Sequence, residues 1–109
     1  MAINISQLAK NMFNAAIPIL KQDAPQITAF ARGEFKKIAQ QIATIESELL
    51  NDNITEAQAR LLLDMQKSAS RVVLLTAKGL SLLTVEKAMN AALKVVKGTV
   101  NAALGIALL

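Results

Sequence analysis

Cysteine, histidine, tryptophan and tyrosine are all missing from these 109 residues. Without cysteine there is no disulfide to staple the fold, no thiolate to hold a metal and no mark of a redox compartment. Without histidine the commonest general base and metal ligand is gone. The three aromatics, Phe13, Phe30 and Phe35, all fall in the N-terminal third, so no base-stacking platform lies among the C-terminal lysines. No serine stands three residues before a lysine, none can be paired with a histidine, and Gly33, Gly79, Gly98 and Gly105 form no phosphate-cradling loop. The expectation is a protein with no catalytic residues, no cofactor, no metal and no small-molecule substrate.

Charge is scarce as well. Charged residues make up 18% of the chain and hydrophobic ones 53%, against about 25% and roughly 45–50% in ordinary soluble domains. The long uncharged apolar run that crosses a bilayer, about 18 residues or more, is absent because lysines and arginines interrupt every candidate. The N-terminus does not read as a secretory signal, since Lys10, Asn11 and Asn14 break its apolar positions. These features carry the expectation of synthesis in the cytoplasm, compatible with association at a membrane surface, and leave the final compartment open.

What charge there is lies unevenly. Up to residue 22 only Lys10 and Lys21 are charged; residues 23–64 carry seven acids against four bases. From Met65 onward Glu86 alone opposes Lys67, Arg71, Lys78, Lys87, Lys94 and Lys97, so that this half is strongly cationic while the rest is nearly neutral, within a net charge of +4. A cationic half suits an anionic surface such as lipid headgroups, and equally a solvated lysine edge. Nucleic acid is disfavoured, because the basic residues are thinly spread and lack interleaved aromatics.

The periodicities are helical throughout. Residues 4–21 read as a first helix, with Ile5, Leu8, Met12, Ile19 and Leu20 inward, and Lys10, Asn11, Asn14 and Lys21 outward; Pro18 predicts a kink or an early end. Asp23 as cap and Pro25 in the first turn restart the chain as a second helix over 24–50. Its seam of Ile27, Ala31, Phe35, Ile38, Ile42, Ile45 and Leu49 alternates spacings of four and three, the pattern of helices packed nearly parallel or antiparallel. Lys36, Lys37, Gln40, Gln41, Glu46 and Glu48 cover the other side.

Asn51-Asp52-Asn53 is a short polar turn, and Thr55 with Gln58 has capping-box spacing for a third helix over 55–79. Leu61, Leu62, Met65, Ala69, Val72 and Val73 are its expected buried positions, and Arg60, Asp64, Lys67, Arg71 and Lys78 its polar edge. A fourth helix is expected over 84–107, with a thin polar edge of Lys87, Asn90, Lys94, Lys97 and Asn101. The two polar edges differ by well over 90° at about 100° per residue, so a break is expected between Gly79 and Thr84. Gly79 would end one helix, Ser81 or Thr84 would cap the next, and Glu86 would lie in its first turn. The fold class is therefore an all-α single domain, an antiparallel bundle of about four helices. Its alternative is a long helical hairpin in which the last two helices are continuous.

Glu46, Glu48, Asp52 and Glu56 gather about the turn, but without the glycine of a calcium loop they read as a solvated, capping cluster. More informative is the breadth of the apolar face after Val72, which a small bundle is not expected to bury alone. Gly98, Ala102 and Gly105 share one face, with Ala91, Ala92 and Val95 nearby, and small residues let helix backbones approach closely. The functional expectation is a non-enzymatic structural protein that self-assembles as a homo-oligomer. Residues 72–109 would supply the association segment, through Ala91, Ala92, Val95, Gly98, Ala102 and Gly105. The alternative is a membrane-active amphipathic protein, pore-forming or lipid-binding, with Lys87, Lys94 and Lys97 meeting anionic headgroups.

Overall fold

The computed structural model describes residues 3–20, 25–76 and 80–109. Among them it has four helices: α1 (Ile5–Leu20), α2 (Pro25–Leu50), α3 (Glu56–Leu75) and α4 (Leu82–Leu104). They form a bundle in ring order. α1 packs closely on α2 and on α4, and α2 packs closely on α3, whereas the α3/α4 side of the ring is closed only lightly. Neighbours run antiparallel. The Ile3 amide before α1 reaches Glu46 near the end of α2, and Leu8 near the start of α1 lines one groove with Val100 and Ala103 near the end of α4. The body measures 43 × 22 × 17 Å, its long axis close to the roughly 39 Å that 26 residues of α2 span at about 1.5 Å each.

Local chemistry fixes each boundary. Asn4 caps α1 by accepting the Gln7 amide on its Oδ1 (2.9 Å). α1 continues two residues beyond Pro18, so the early end expected there does not occur. The amide that proline lacks belongs to the last turn, and Pro18 faces solvent, where the freed Asn14 carbonyl can meet water. α2 ends in a Schellman turn at the expected place. Asp52 sits in the left-handed region (φ 54°), its amide bonds the Leu49 carbonyl at 3.1 Å, and the Asn53 amide bonds that of Glu48 at 2.9 Å. The capping box then forms as its spacing requires: the Gln58 amide donates to Thr55 Oγ1 (3.1 Å) and the Thr55 amide to Gln58 Oε1 (2.8 Å).

α3 and α4 are separate helices, which excludes the continuous hairpin. α3 stops at Leu75 with Thr76 as its cap, and Ser81 caps α4 by accepting the Thr84 amide (3.1 Å). α4 thus starts earlier than expected, and Glu86 falls in its second turn. Gly105, left-handed at φ 70°, ends α4 where the sequence suggested three further residues. The chain then folds back: Leu109 donates its amide to Asn101 Oδ1 (3.0 Å) and Leu108 is buried. Lys21, Asp23, Lys78 and Gly79, to which outward, capping and helix-ending roles were assigned, lie outside the described residues.

The core is one cluster. The α2 seam supplies Ile27, Ala31, Phe35, Ile38, Ile42 and Ile45, all buried, with Leu49 half-buried at its edge. α1 contributes Leu8, Met12, Ala16 and Leu20 at intervals of four, while Ile5 and Ile19 are only half-buried. α4 contributes Val85, Ala88, Met89, Ala92, Leu93, Val96 and Val100. α1 lies along α4 and covers its apolar side, while Leu82, Leu83 and Val95 of α4, with Val72 and Leu75 of α3, stay exposed within the same C-terminal stretch.

α3 requires the main correction. Its buried positions are Ala59, Leu63, Ser70 and Leu74, a face rotated by roughly a third of a turn from the expected one. Leu61, Met65, Ala69 and Val72 face solvent, and Leu62 and Val73 are half-buried. The run Leu61-Leu62-Leu63 offers three faces to a core, and the face that is buried joins Leu63 and Leu74 with the smaller Ala59 and Ser70. Glu46 is also corrected. Far from covering the solvated side of α2, it is buried and accepts the Ile3 amide on Oε1 (3.0 Å), which ties the start of α1 to the end of α2.

Candidate functional site

The residues expected to mediate association divide three ways. Val95, Gly98 and Ala102 face solvent on one stripe of α4, with half-buried Ala91 beside them. Ala92 is fully buried against the core, beyond reach of a second chain. Gly105 is spent on the left-handed cap. A Cβ built on Gly98 would meet nothing within 4 Å, so no neighbour inside the protomer exploits its small size.

Lys87, Lys94 and Lys97 project from the exposed, polar side of α4. Lys94 and Lys97 join Lys67 of α3 and Asn90 around Leu93 and Leu109 in an open groove at the lightly closed α3/α4 side; Lys87 lies outside that lining. Lys67 also approaches Asp64 at 3.7 Å, leaving the groove a cationic excess. A second basic groove, unforeseen in the sequence, runs between α1 and α2 and brings Lys10, Arg32 and Lys36 around Phe13. The Arg32 guanidinium stacks 4.4 Å from the Phe13 ring centroid and so occupies one ring face that a base would need.

The acidic turn does not converge. Asp52 and Glu56 are exposed, Glu56 pairs with Arg60 at 3.5 Å, and Glu46 is committed to the Ile3 amide. Among the described residues no group of three acidic side chains could hold a metal ion.

The feature that sequence reasoning missed is on α3. Leu61 (59% exposed), Met65 (60%), Val72 (62%) and Leu75 (36%) stand in line with the small Ser68, opposite the face packed on α2. Their spacing is four, three, four, three, the seam of a helix that meets another helix. The period is present in the sequence, where Leu61, Met65 and Val72 read as buried positions of the protomer itself. No described helix is long and apolar enough to cross a membrane. No protein-family model, no curated protein and no solved structure matches this chain.

Proposed function

We propose that this chain is a self-associating structural protein whose work is assembly rather than catalysis. The observation that carries the reading is the α3 stripe: four large apolar side chains in heptad register, turned away from the core. Burying the exposed part of such a side chain stabilises by roughly 1–2 kcal/mol. Four from each of two copies together contribute roughly 8–16 kcal/mol, comparable to the about 4–15 kcal/mol that association costs. The exposed α4 stripe of Val95, Gly98 and Ala102 is a second, weaker surface that extends assembly beyond a pair. Light scattering on purified, detergent-free protein should give a mass above that of one chain, and Val72→Lys should return it to monomer. A wild-type monomer at high protein concentration would sink the reading.

Membrane activity is the second reading, and the cationic groove of Lys67, Lys94 and Lys97 around Leu93 and Leu109 favours it. Flotation with anionic liposomes, diminished by salt and by charge reversal of Lys94 and Lys97, is its signature.

A further inference from the structure

The charges that flank the α3 stripe carry an orientation. In heptad terms Leu61, Ser68 and Leu75 take the d positions and Met65 and Val72 the a positions, with buried Leu63 and Ser70 opposite at f. The flank on the α2 side holds Leu62, Ala69 and Thr76, none of them charged. The flank on the other side, the g positions, holds Ala57, Asp64 and Arg71. Asp64 is exposed and makes only the long contact to Lys67. Arg71 is half-buried, and its Nε is buried without a hydrogen-bond partner among the described residues.

Parallel packing of two such helices sets each g position against the uncharged e flank of the other copy, where Asp64 would face alanine and Arg71 threonine. Antiparallel packing sets g against g. Asp64 of each copy then reaches Arg71 of the other, forming two opposite-charge pairs about one two-fold axis. The same register places Leu61 opposite Val72 of the second copy and Met65 opposite its Ser68, a large side chain against a small one, which lets the seams interdigitate.

We infer that two copies of this chain pair through α3 in antiparallel orientation, with Asp64 of each beside Arg71 of the other. The inference rests on the self-association proposed above and names its partner and geometry.

The chain has no cysteine, so single thiols can report the orientation. Full-length Leu61→Cys and Val72→Cys variants, one of them size-tagged, are oxidised under native conditions alone and as an equimolar mixture, and the same samples are weighed by light scattering. The pairing predicts that the mixed Leu61→Cys/Val72→Cys disulfide forms several-fold more than either self-linked product, since a disulfide needs Cα atoms about 4.4–6.8 Å apart. Asp64→Arg and Arg71→Asp should each lower the dimer fraction, and the double exchange should restore it. Self-linked Leu61→Cys matching the mixed product would overturn the antiparallel geometry. A particle of more than one chain that yields no preferred mixed disulfide would overturn the α3 pairing but leave self-association standing. A monomer by light scattering would remove both.

Discussion

α3 and α4 are made of similar material. Each is rich in leucine, valine and alanine with a methionine near its middle, and each carries basic residues along one edge. Their fates differ because their neighbours differ. α4 lies along α1, which covers its apolar face from Val85 to Val100. α3 packs closely on α2 alone, buries Ala59, Leu63, Ser70 and Leu74, and leaves Leu61, Met65, Val72 and Leu75 exposed. The width of an apolar face in sequence therefore does not say which face is spare. What decides is which side the one close neighbour takes: α2 lies against the Ala59, Leu63, Ser70 and Leu74 side of α3, and α1 along the Val85 to Val100 side of α4.

The same chemical change at two methionines gives the widest separation. Met89→Ala, in the α4 core, should cost about 2–5 kcal/mol in urea denaturation, and Met65→Ala, on the open stripe, within about 0.5 kcal/mol for dilute monomer. Equal losses would mean that the α3 stripe is covered within the protomer after all. Two alanines of α4 sharpen the contrast within one helix. Ala92→Leu overpacks a fully buried position and should destabilise by about 1–3 kcal/mol, while Ala102→Leu should leave monomer stability unchanged and alter only association, read by thermal melting alongside light scattering.

The helix starts test whether α3, for all its exposure, is firmly nucleated. Thr55→Ala and Ser81→Ala should each cost about 1 kcal/mol, with Ser81→Ala the larger, because the Ser81 hydroxyl both accepts the Thr84 amide and donates to Thr84 Oγ1, whereas the residue 55 backbone amide keeps its bond to Gln58 Oε1. The smallest effect is a gain: Gly98→Ala should stabilise the monomer by about 0.5–1 kcal/mol, since a Cβ there meets open space and alanine is the better helix former. A loss of oligomer accompanying that gain would assign Gly98 to the assembly surface.

The all-α class, the four helices and the α2 seam were legible because apolar residues recurring at three and four mark helices, and in α2 they leave one face to choose. So was the capping box, whose donors and acceptors lie three residues apart. The buried face of α3 was not, because Leu61-Leu62-Leu63 fits several faces, and the one buried pairs Leu63 and Leu74 with Ala59 and with Ser70, a polar residue that hydropathy ranks low. Glu46 was illegible for another reason: its partner is a backbone amide 43 residues earlier, and no local pattern marks a carboxylate for such burial. The lysine groove needed the fold, since Lys67 and Lys94 belong to different helices. The α3 stripe was visible as a period and hidden as a surface.

The reversal at Gly105 changes where the far end of the chain is found. Because Leu109 is held by the Asn101 side chain and lies beside Lys67, Lys94 and Lys97, anything joined after it departs from the flank of the bundle rather than from its tip. A fluorophore or affinity handle placed there sits at the mouth of the basic groove. It would report on anions arriving at that groove and would itself compete with them, so a tag meant to be silent belongs elsewhere on the molecule.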